Sequence, residues 1–149
     1  MKETQMTQNK KVQVVVLRDT GQSPDLLLLQ TRSKRGGFWQ NVTGSVEDGE
    51  SFDQAARREL EEETGLKPIN LFPLNLEFHF QDRFDRQIHE KVFAAIVRSD
   101  SHVTISDEHQ VFLWKEIKTI SEKNFKYPSN YQAFEEAIEL YAGMPKGGQ

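Results

Sequence analysis

Acidic residues crowd one short stretch of the chain, between Glu47 and Glu63. Glu59, Glu62 and Glu63 stand at positions i, i+3 and i+4, which share one face of a helix with 3.6 residues per turn. Carboxylates so close repel one another, and a bound cation would reverse that cost. Because hard oxygen ligands suit Mg²⁺ or Mn²⁺, the spacing indicates a divalent metal site, which Glu50 can also reach.

The same acids have a simpler interpretation as a solvated helix face, which is the usual meaning of a charge run. Glu61 is rotated away from the other three acids, and Arg57 and Arg58 precede the run and could pair with Glu61 and Glu62. From the helix alone, the metal site and the solvated face are about equally favoured.

The helix that carries these acids has clear sequence boundaries. Ser51 and Gln54 form a capping box, which predicts a helix through Thr64. Gly65 follows where a left-handed residue commonly ends a helix. Strands are predicted around it from alternating or apolar runs, at Lys11–Arg18, Leu26–Gln30, Phe38–Thr43, Leu71–Asp82, Glu90–Arg98 and Val111–Trp114.

A second capping box, Ser129 with Gln132, predicts another helix that includes Phe134 and Tyr141. Strands mixed with two helices indicate an α/β layered domain whose mixed sheet is covered on both faces. Trp39 and Trp114 are expected in its core.

Composition limits the class of protein. A chain of 149 residues fits one domain, predicted over 11–142 between polar tails at 1–10 and 143–149. The net charge of −4 argues against general nucleic-acid binding, and the absence of cysteine excludes thiolate metal sites. The polar start lacks the apolar stretch of a signal peptide, and every apolar run is too short to span a membrane. We therefore expect a cytoplasmic protein with no membrane partner.

One linear motif ties the acids to a known family. Gly44, Glu50 and the run Arg58–Leu66, which reads Arg-Glu-Leu-Glu-Glu-Glu-Thr-Gly-Leu, match every defined position of the Nudix box. The chain therefore resembles the Nudix hydrolases over roughly residues 11–142. The resemblance implies an α/β/α sandwich that splits compounds built as a nucleoside diphosphate linked to another group.

The resemblance also implies roles for the residues of the box. Glu59, Glu62 and Glu63 fall on the metal and base positions of the family, and which of them is the base stays open. Arg58 would orient the acids, and the backbone carbonyl of Thr43 or Gly44 is a further candidate ligand. A water would attack phosphorus while Mg²⁺ or Mn²⁺ lowers its pKa and neutralises charge on the leaving phosphate.

Within the family, the sequence of Phe38–Glu47 resembles that of the bacterial dihydroneopterin triphosphate pyrophosphatases of folate synthesis. Further similarities lie at Asp107–His109 and Ser129–Ala133. They imply that Glu108 completes the metal site, and that Arg32, Thr43 and Ser129 contact the substrate. Phe78 and Phe80 are candidates for a ring-binding slot, although aromatics at strand period are more often core. The remaining histidines, His79, His89 and His102, show no ligand spacing and are interpreted as surface or strand-packing groups.

The predicted function is a Mg²⁺-dependent pyrophosphohydrolase that converts dihydroneopterin triphosphate to its monophosphate and pyrophosphate. Other nucleotide or pteridine substrates remain open: dNTPs, dinucleoside polyphosphates and the 5′-triphosphate end of RNA. A non-catalytic nucleotide-binding module is the alternative of a different class. The complete set of Glu59, Glu62 and Glu63 favours the enzyme, since a sensor has no need of it. The oligomeric state is left open.

Overall fold

The computed structural model describes residues 9–145, and this part of the chain forms seven strands and two α-helices. In chain order they are β1 (Lys10–Arg18), β2 (Asp25–Thr31), β3 (Trp39–Gln40), β4 (Val42–Ser45), α1 (Phe52–Thr64), β5 (Asn70–Gln81), β6 (Gln87–Val97), β7 (His109–Glu116) and α2 (Pro128–Ala142). Residues 1–8 and 146–149 of the predicted tails lie outside the described residues, and the domain limits 11–142 stay a prediction.

All seven strands belong to one mixed sheet, with the order β3-β2-β1-β6-β5, β4 paired to β1 and β7 paired to β2. The pairing of β1 with β6 is parallel, whereas the other pairings are antiparallel. β1 and β2 pair only near Leu17 and Leu26. Towards the other end they make room for β3, which pairs with β2, and for β4, which pairs with β1.

The single strand predicted at Phe38–Thr43 is wrong, because the chain changes its pairing partner at Asn41. The backbone N–H of Asn41 donates to Asn130 Oδ1 at 2.8 Å, and its side-chain Nδ2 donates to Gln13 Oε1 at 2.7 Å. Side-chain hydrogen bonds therefore replace the ladder at the break and join the sheet to α2.

Each helix covers one face of the sheet, which confirms the predicted α/β/α sandwich. β1 alternates between the faces, as the strand period of two requires. Val12, Val14 and Val16 pack with residues of α1, whereas Val15 and Leu17 pack with residues of α2. Trp114 and Trp39, expected in the core, are half-buried at the α1 and α2 layers respectively.

The start of α1 agrees with the predicted capping box. Ser51 Oγ accepts from the N–H of Gln54 at 3.1 Å, and Gln54 Oε1 accepts from the N–H of Ser51 at 2.9 Å. Gly65, with φ of 72°, ends the helix in the left-handed region that disfavours side chains. α1 therefore presents its acids at a fixed rotation and height above the sheet.

The second capping box is wrong, because α2 begins two residues earlier than predicted. Tyr127 occupies the cap position without a side-chain hydrogen bond, and Pro128 is the first helical residue. Proline suits this position since its fixed φ is helical and it lacks an N–H that would need a partner. Ser129 lies inside the first turn. Neither described helix has both the length and the hydropathy of a membrane-spanning segment.

Candidate active site

Arg58 links the acids of α1 to the end of β4. Its Nε and Nη2 donate to the two carboxylate oxygens of Glu50 at 2.6 and 3.0 Å, and Nη2 also donates to the carbonyl of Ser45 at 2.8 Å. Nη1 donates to Glu59 and Glu62 at 3.2 and 3.1 Å. The bond to Arg58 lowers the pKa of Glu50, and the acids raise the pKa of Arg58. Since these donors are directed at protein groups, the geometry favours an orienting role.

Glu59 lies directly against the backbone of Gly44 and is only 9% exposed. A Cβ added to Gly44 would overlap the carboxyl group of Glu59, so any side chain at this position would force that carboxyl group to move. Burial raises the pKa of Glu59, and the charge of Arg58 partly offsets the shift. The carboxyl group is therefore fixed between a strand backbone and a cation.

Glu63 and His109 form the buried end of the site, and both are 2% exposed. Glu63 Oε1 lies 3.2 Å from His109 Nδ1, but neither atom has a hydrogen-bond partner among the described residues. Burial, followed by the charges of Glu108 and Glu59, raises the pKa of Glu63. Burial lowers the pKa of His109. Both shifts favour the neutral forms of the two groups.

His109 was absent from the predicted site. Its ring is held from the other side by Gln40, whose Nε2 lies 3.0 Å from His109 Nε2. The available signal was its position directly after Glu108 and two residues before the predicted strand Val111–Trp114.

The carboxyl groups fit a divalent cation. Glu59 and Glu63 are buried, Glu108 raises the pKa of both by its charge, and one oxygen of Glu63 lacks a partner. Burying carboxylates without compensation is costly, and a cation with oxygen ligands would remove that cost.

The four predicted metal ligands differ in burial. The side chain of Glu62 is 60% exposed, whereas that of Glu63 is only 3% exposed. The helix face that carries the acids therefore runs from the solvent at Glu62 into the protein interior at Glu63. Glu108 is exposed and lies in the loop before β7. Glu61 points away from the group, with its side chain 56% exposed and 3.9 Å from Lys67 Nζ.

The predicted substrate residues do not all lie beside the acids. Thr43 and Phe78 face the α2 layer by strand alternation, and Phe80, which shares their face, is 39% exposed. Ser129 is half-buried at the start of α2. Arg32 is exposed, and its Nε donates to the carbonyl of Asp107 at 2.5 Å, next to Glu108. The structure thus brings Arg32 towards the acids and separates the aromatic residues from them by the sheet.

A network of hydrogen-bonded, buried polar side chains lies on the face of the sheet that α2 covers. It was not predicted from the sequence. Gln13 donates to Glu90 Oε1 at 3.0 Å and accepts from Asn41, which in turn binds Asn130. Asn41 Oδ1 has no partner among the described residues, and burial raises the pKa of Glu90. The sequence signal for this network was the presence of the polar residues Gln13 and Glu90 among the apolar residues of β1 and β6.

The Nudix domain model matches residues 7–136, which is most of the chain. The chain belongs to the Nudix domain family. This Nudix protein is 39% identical over 116 residues, 76% of its length, to a Myxococcus xanthus octanoyltransferase. It is 44% identical over 60 residues, 40% of its length, to the dihydroneopterin triphosphate diphosphatase of Escherichia coli. The matches cover only 32% and 39% of those two proteins.

Solved structures agree with this assignment over nearly the whole chain. A C. elegans Ap4A hydrolase has a TM-score of 0.76 at 25% identity, covering 91% of the Nudix protein and 98% of that chain. The E. coli dihydroneopterin triphosphate pyrophosphohydrolase has a TM-score of 0.71 at 28% identity, covering 89% and 94%. The predicted Nudix membership and hydrolase class are confirmed at the level of the family. The substrates in these names differ, so the family does not decide the substrate.

Proposed function

We propose that this Nudix protein is a pyrophosphohydrolase that cleaves a triphosphate joined to a pteridine or purine ring system. Dihydroneopterin triphosphate is the first candidate, with its monophosphate and pyrophosphate as products. The observation that carries the proposal is the buried pair Glu59 and Glu63 beside Glu108, with one carboxyl oxygen lacking a partner. A binding module would gain nothing from so costly a group of acids.

Mg²⁺ or Mn²⁺ is the proposed cofactor, with Glu59, Glu63 and Glu108 as ligands and Glu62 contributing from the rim. Such a cation would supply positive charge that favours ionisation of the attacking water and offsets charge on the leaving phosphate. Arg58 holds Glu59 and Glu62 in place. A glutamate of this group takes the proton of the water, and Arg32 near Glu108 neutralises a phosphate oxygen.

The proposed substrate crosses the sheet at β4. Thr43 faces the α2 layer, where Phe78 offers an aromatic surface for a ring, while the next residue, Gly44, contacts Glu59 on the other face. A ring bound near Thr43 would therefore send its phosphates towards the acids. The hydrogen-bonded side chains of Glu90 and Gln13 lie on the same face as the proposed ring site and add fixed polar groups there. A purine resembles a pterin in size, so dGTP and dATP are close competitors.

A dinucleoside polyphosphate is the second candidate, supported by a separate pair of aromatic residues. Phe38 and the 46% exposed Tyr127 pack edge to face at 5.4 Å, and Lys126 Nζ lies 4.7 Å from the Phe38 ring centre. This pair could accept a second base by stacking, as the similarity to an Ap4A hydrolase also favours. The net charge of −4 gives no support to an RNA substrate.

The test is a comparison of kcat/KM with Mg²⁺ for dihydroneopterin triphosphate, dGTP, dATP, diadenosine polyphosphates and a 5′-triphosphorylated RNA. We expect the pteridine to lead and excess EDTA to abolish turnover. A tenfold preference for another compound would overturn the folate assignment and leave the hydrolase intact. Nucleotide binding without turnover under any metal would favour the binding module. The cytoplasmic location stays a prediction.

A further inference from the structure

Three metal-ligating side chains meet on the hairpin of β5 and β6, outside the acidic site. His79 and His89 lie directly opposite each other, and their rings stack with centres 4.5 Å apart and planes 11° from parallel. Glu77 stands two residues before His79, and its Oε1 lies 2.5 Å from His89 Nε2. The ligand atoms of all three lie within 4.8 Å of one another, a closeness that no other such trio reaches within residues 9–145.

The stacking of His79 on His89 agrees with their interpretation as surface or strand-packing groups, and the hairpin also brings both within ligand distance of Glu77. Their distance in sequence, ten residues, matches no linear metal motif. The antiparallel register places them side by side, and the strand period of two puts Glu77 on the same face.

We propose that Glu77, His79 and His89 form a second metal site, for a borderline transition-metal ion such as Zn²⁺. Two imidazoles with one carboxylate form a ligand set typical of zinc, with a fourth position open to water. The nitrogen ligands separate this site chemically from the carboxylates of α1, which suit Mg²⁺. Sheet pairing fixes the three backbones, so binding requires only rotations of side chains.

The surroundings allow an ion to enter and limit its affinity. The side chains of His89 and Glu77 are 32% and 46% exposed, so the site is open to solvent. The ring of Phe52 packs against His89 with centres 5.3 Å apart and closes one side. Lys91 and Lys10 lie over the same Phe52 ring, and their charges oppose a cation. We therefore expect weaker binding than in a buried zinc site.

Zinc binding is measured by calorimetry on the full chain carrying E59Q and E63Q, so that the acids of α1 do not compete. One ion per chain should bind, and H79Q or H89Q added to this background should weaken the affinity at least tenfold. H102Q removes an exposed histidine elsewhere and should change nothing. Equal affinity in H79Q, H89Q and H102Q, or no zinc binding in the background, would overturn the proposal.

A measurement on the unmodified protein guards against misfolded variants. In saturating Mg²⁺, added Zn²⁺ should shift the imidazole NMR signals of His79 and His89 together and leave that of His102 in place. Unmoved signals of His79 and His89 would overturn the second site even if zinc binds elsewhere. The outcome is independent of whether the acidic site hydrolyses a triphosphate.

Discussion

Substitutions at Gly44 and Gly49 separate the effect of displacing Glu59 on activity from the effect of backbone strain on stability. G44A should lower kcat by about 100-fold, because Glu59 must move away from the added methyl group and such displacements are costly in catalysis. G49A is the matched control, since Gly49 has φ of 84° and nothing within 4 Å of an added Cβ. It should cost about 1 kcal/mol of unfolding free energy through backbone strain and leave kcat nearly unchanged. Equal loss of kcat in both variants would contradict the proposed place of Glu59.

The two neighbouring acids Glu63 and Glu61 differ in environment and should differ in effect. E63Q should lower kcat by about 10²- to 10⁴-fold, because it removes a buried carboxylate from the proposed metal and base group. E61Q should keep activity, since its side chain is exposed and turned towards Lys67. Steady-state assays with Mg²⁺, together with circular dichroism of both variants, decide the point. Similar activities would show that the buried face is not the catalytic one.

The raised pKa of Glu63 predicts how the metal-free protein responds to pH. The folded state keeps a proton that the unfolded chain releases, so unfolding free energy should fall as pH rises, by up to about 1.4 kcal/mol per unit of pKa difference. The depressed pKa of His109 has the opposite effect near pH 6, so the scan should begin at about pH 7.

Melting temperatures in EDTA should therefore decrease towards alkaline pH, and Mg²⁺ should reduce the slope by stabilising ionised carboxylates. A melting temperature that rises with pH in EDTA would disagree with the burial of neutral acids.

At the scale of elements, Ser51 and Ser129 lie near the starts of α1 and α2, but their replacement should affect stability differently. S51A should lower the unfolding free energy by about 1 kcal/mol, because Ser51 caps α1. S129A should change stability little, because Ser129 lies within the first turn of α2 and caps nothing. It should instead raise KM if Ser129 contacts the substrate. Chemical denaturation of both variants tests the pair, and a large stability loss in S129A would refute this assignment.

The elements that the sequence predicts well are those governed by local chemistry. The capping box of Ser51, the terminal Gly65 and the apolar runs of β1 and β2 all depend on neighbours within a few residues. The break at Asn41 depends instead on a change of strand partner, and its hydrogen bond to Asn130 joins residues far apart in the chain. Local patterns contain no information on such pairings.

The same distinction holds for the candidate site. Glu59 and Glu63 could be found from helical spacing alone, and Arg58 from the box. The contact between Glu63 and His109, like the stacking of His79 on His89, requires the register of distant strands. The burial that separates Glu63 from the exposed Glu62 also depends on how α1 sits on the sheet. Residue types were predictable, whereas their environments were not.

At the scale of the whole molecule, the sheet would separate the two proposed tasks, catalysis on one face and ring binding on the other. The acids of α1 occupy one face of the sheet. Thr43, Phe78 and the hydrogen-bonded side chains that link Glu90 to Asn130 occupy the other face. The segment through β3 and β4 lies between β1 and β2 and is the proposed crossing point for a substrate.

This division has a consequence for how such proteins diversify. Under the proposed function, substitutions on the face around Phe78 would alter which ring is accepted without touching Glu59 or Glu63, so that substrate selectivity and catalysis would be open to selection separately. Laboratory evolution that randomises only the ring face should therefore yield many variants with new preferences and intact turnover. The same library applied around Gly44 should yield mostly inactive ones, since there a single methyl group reaches the acids.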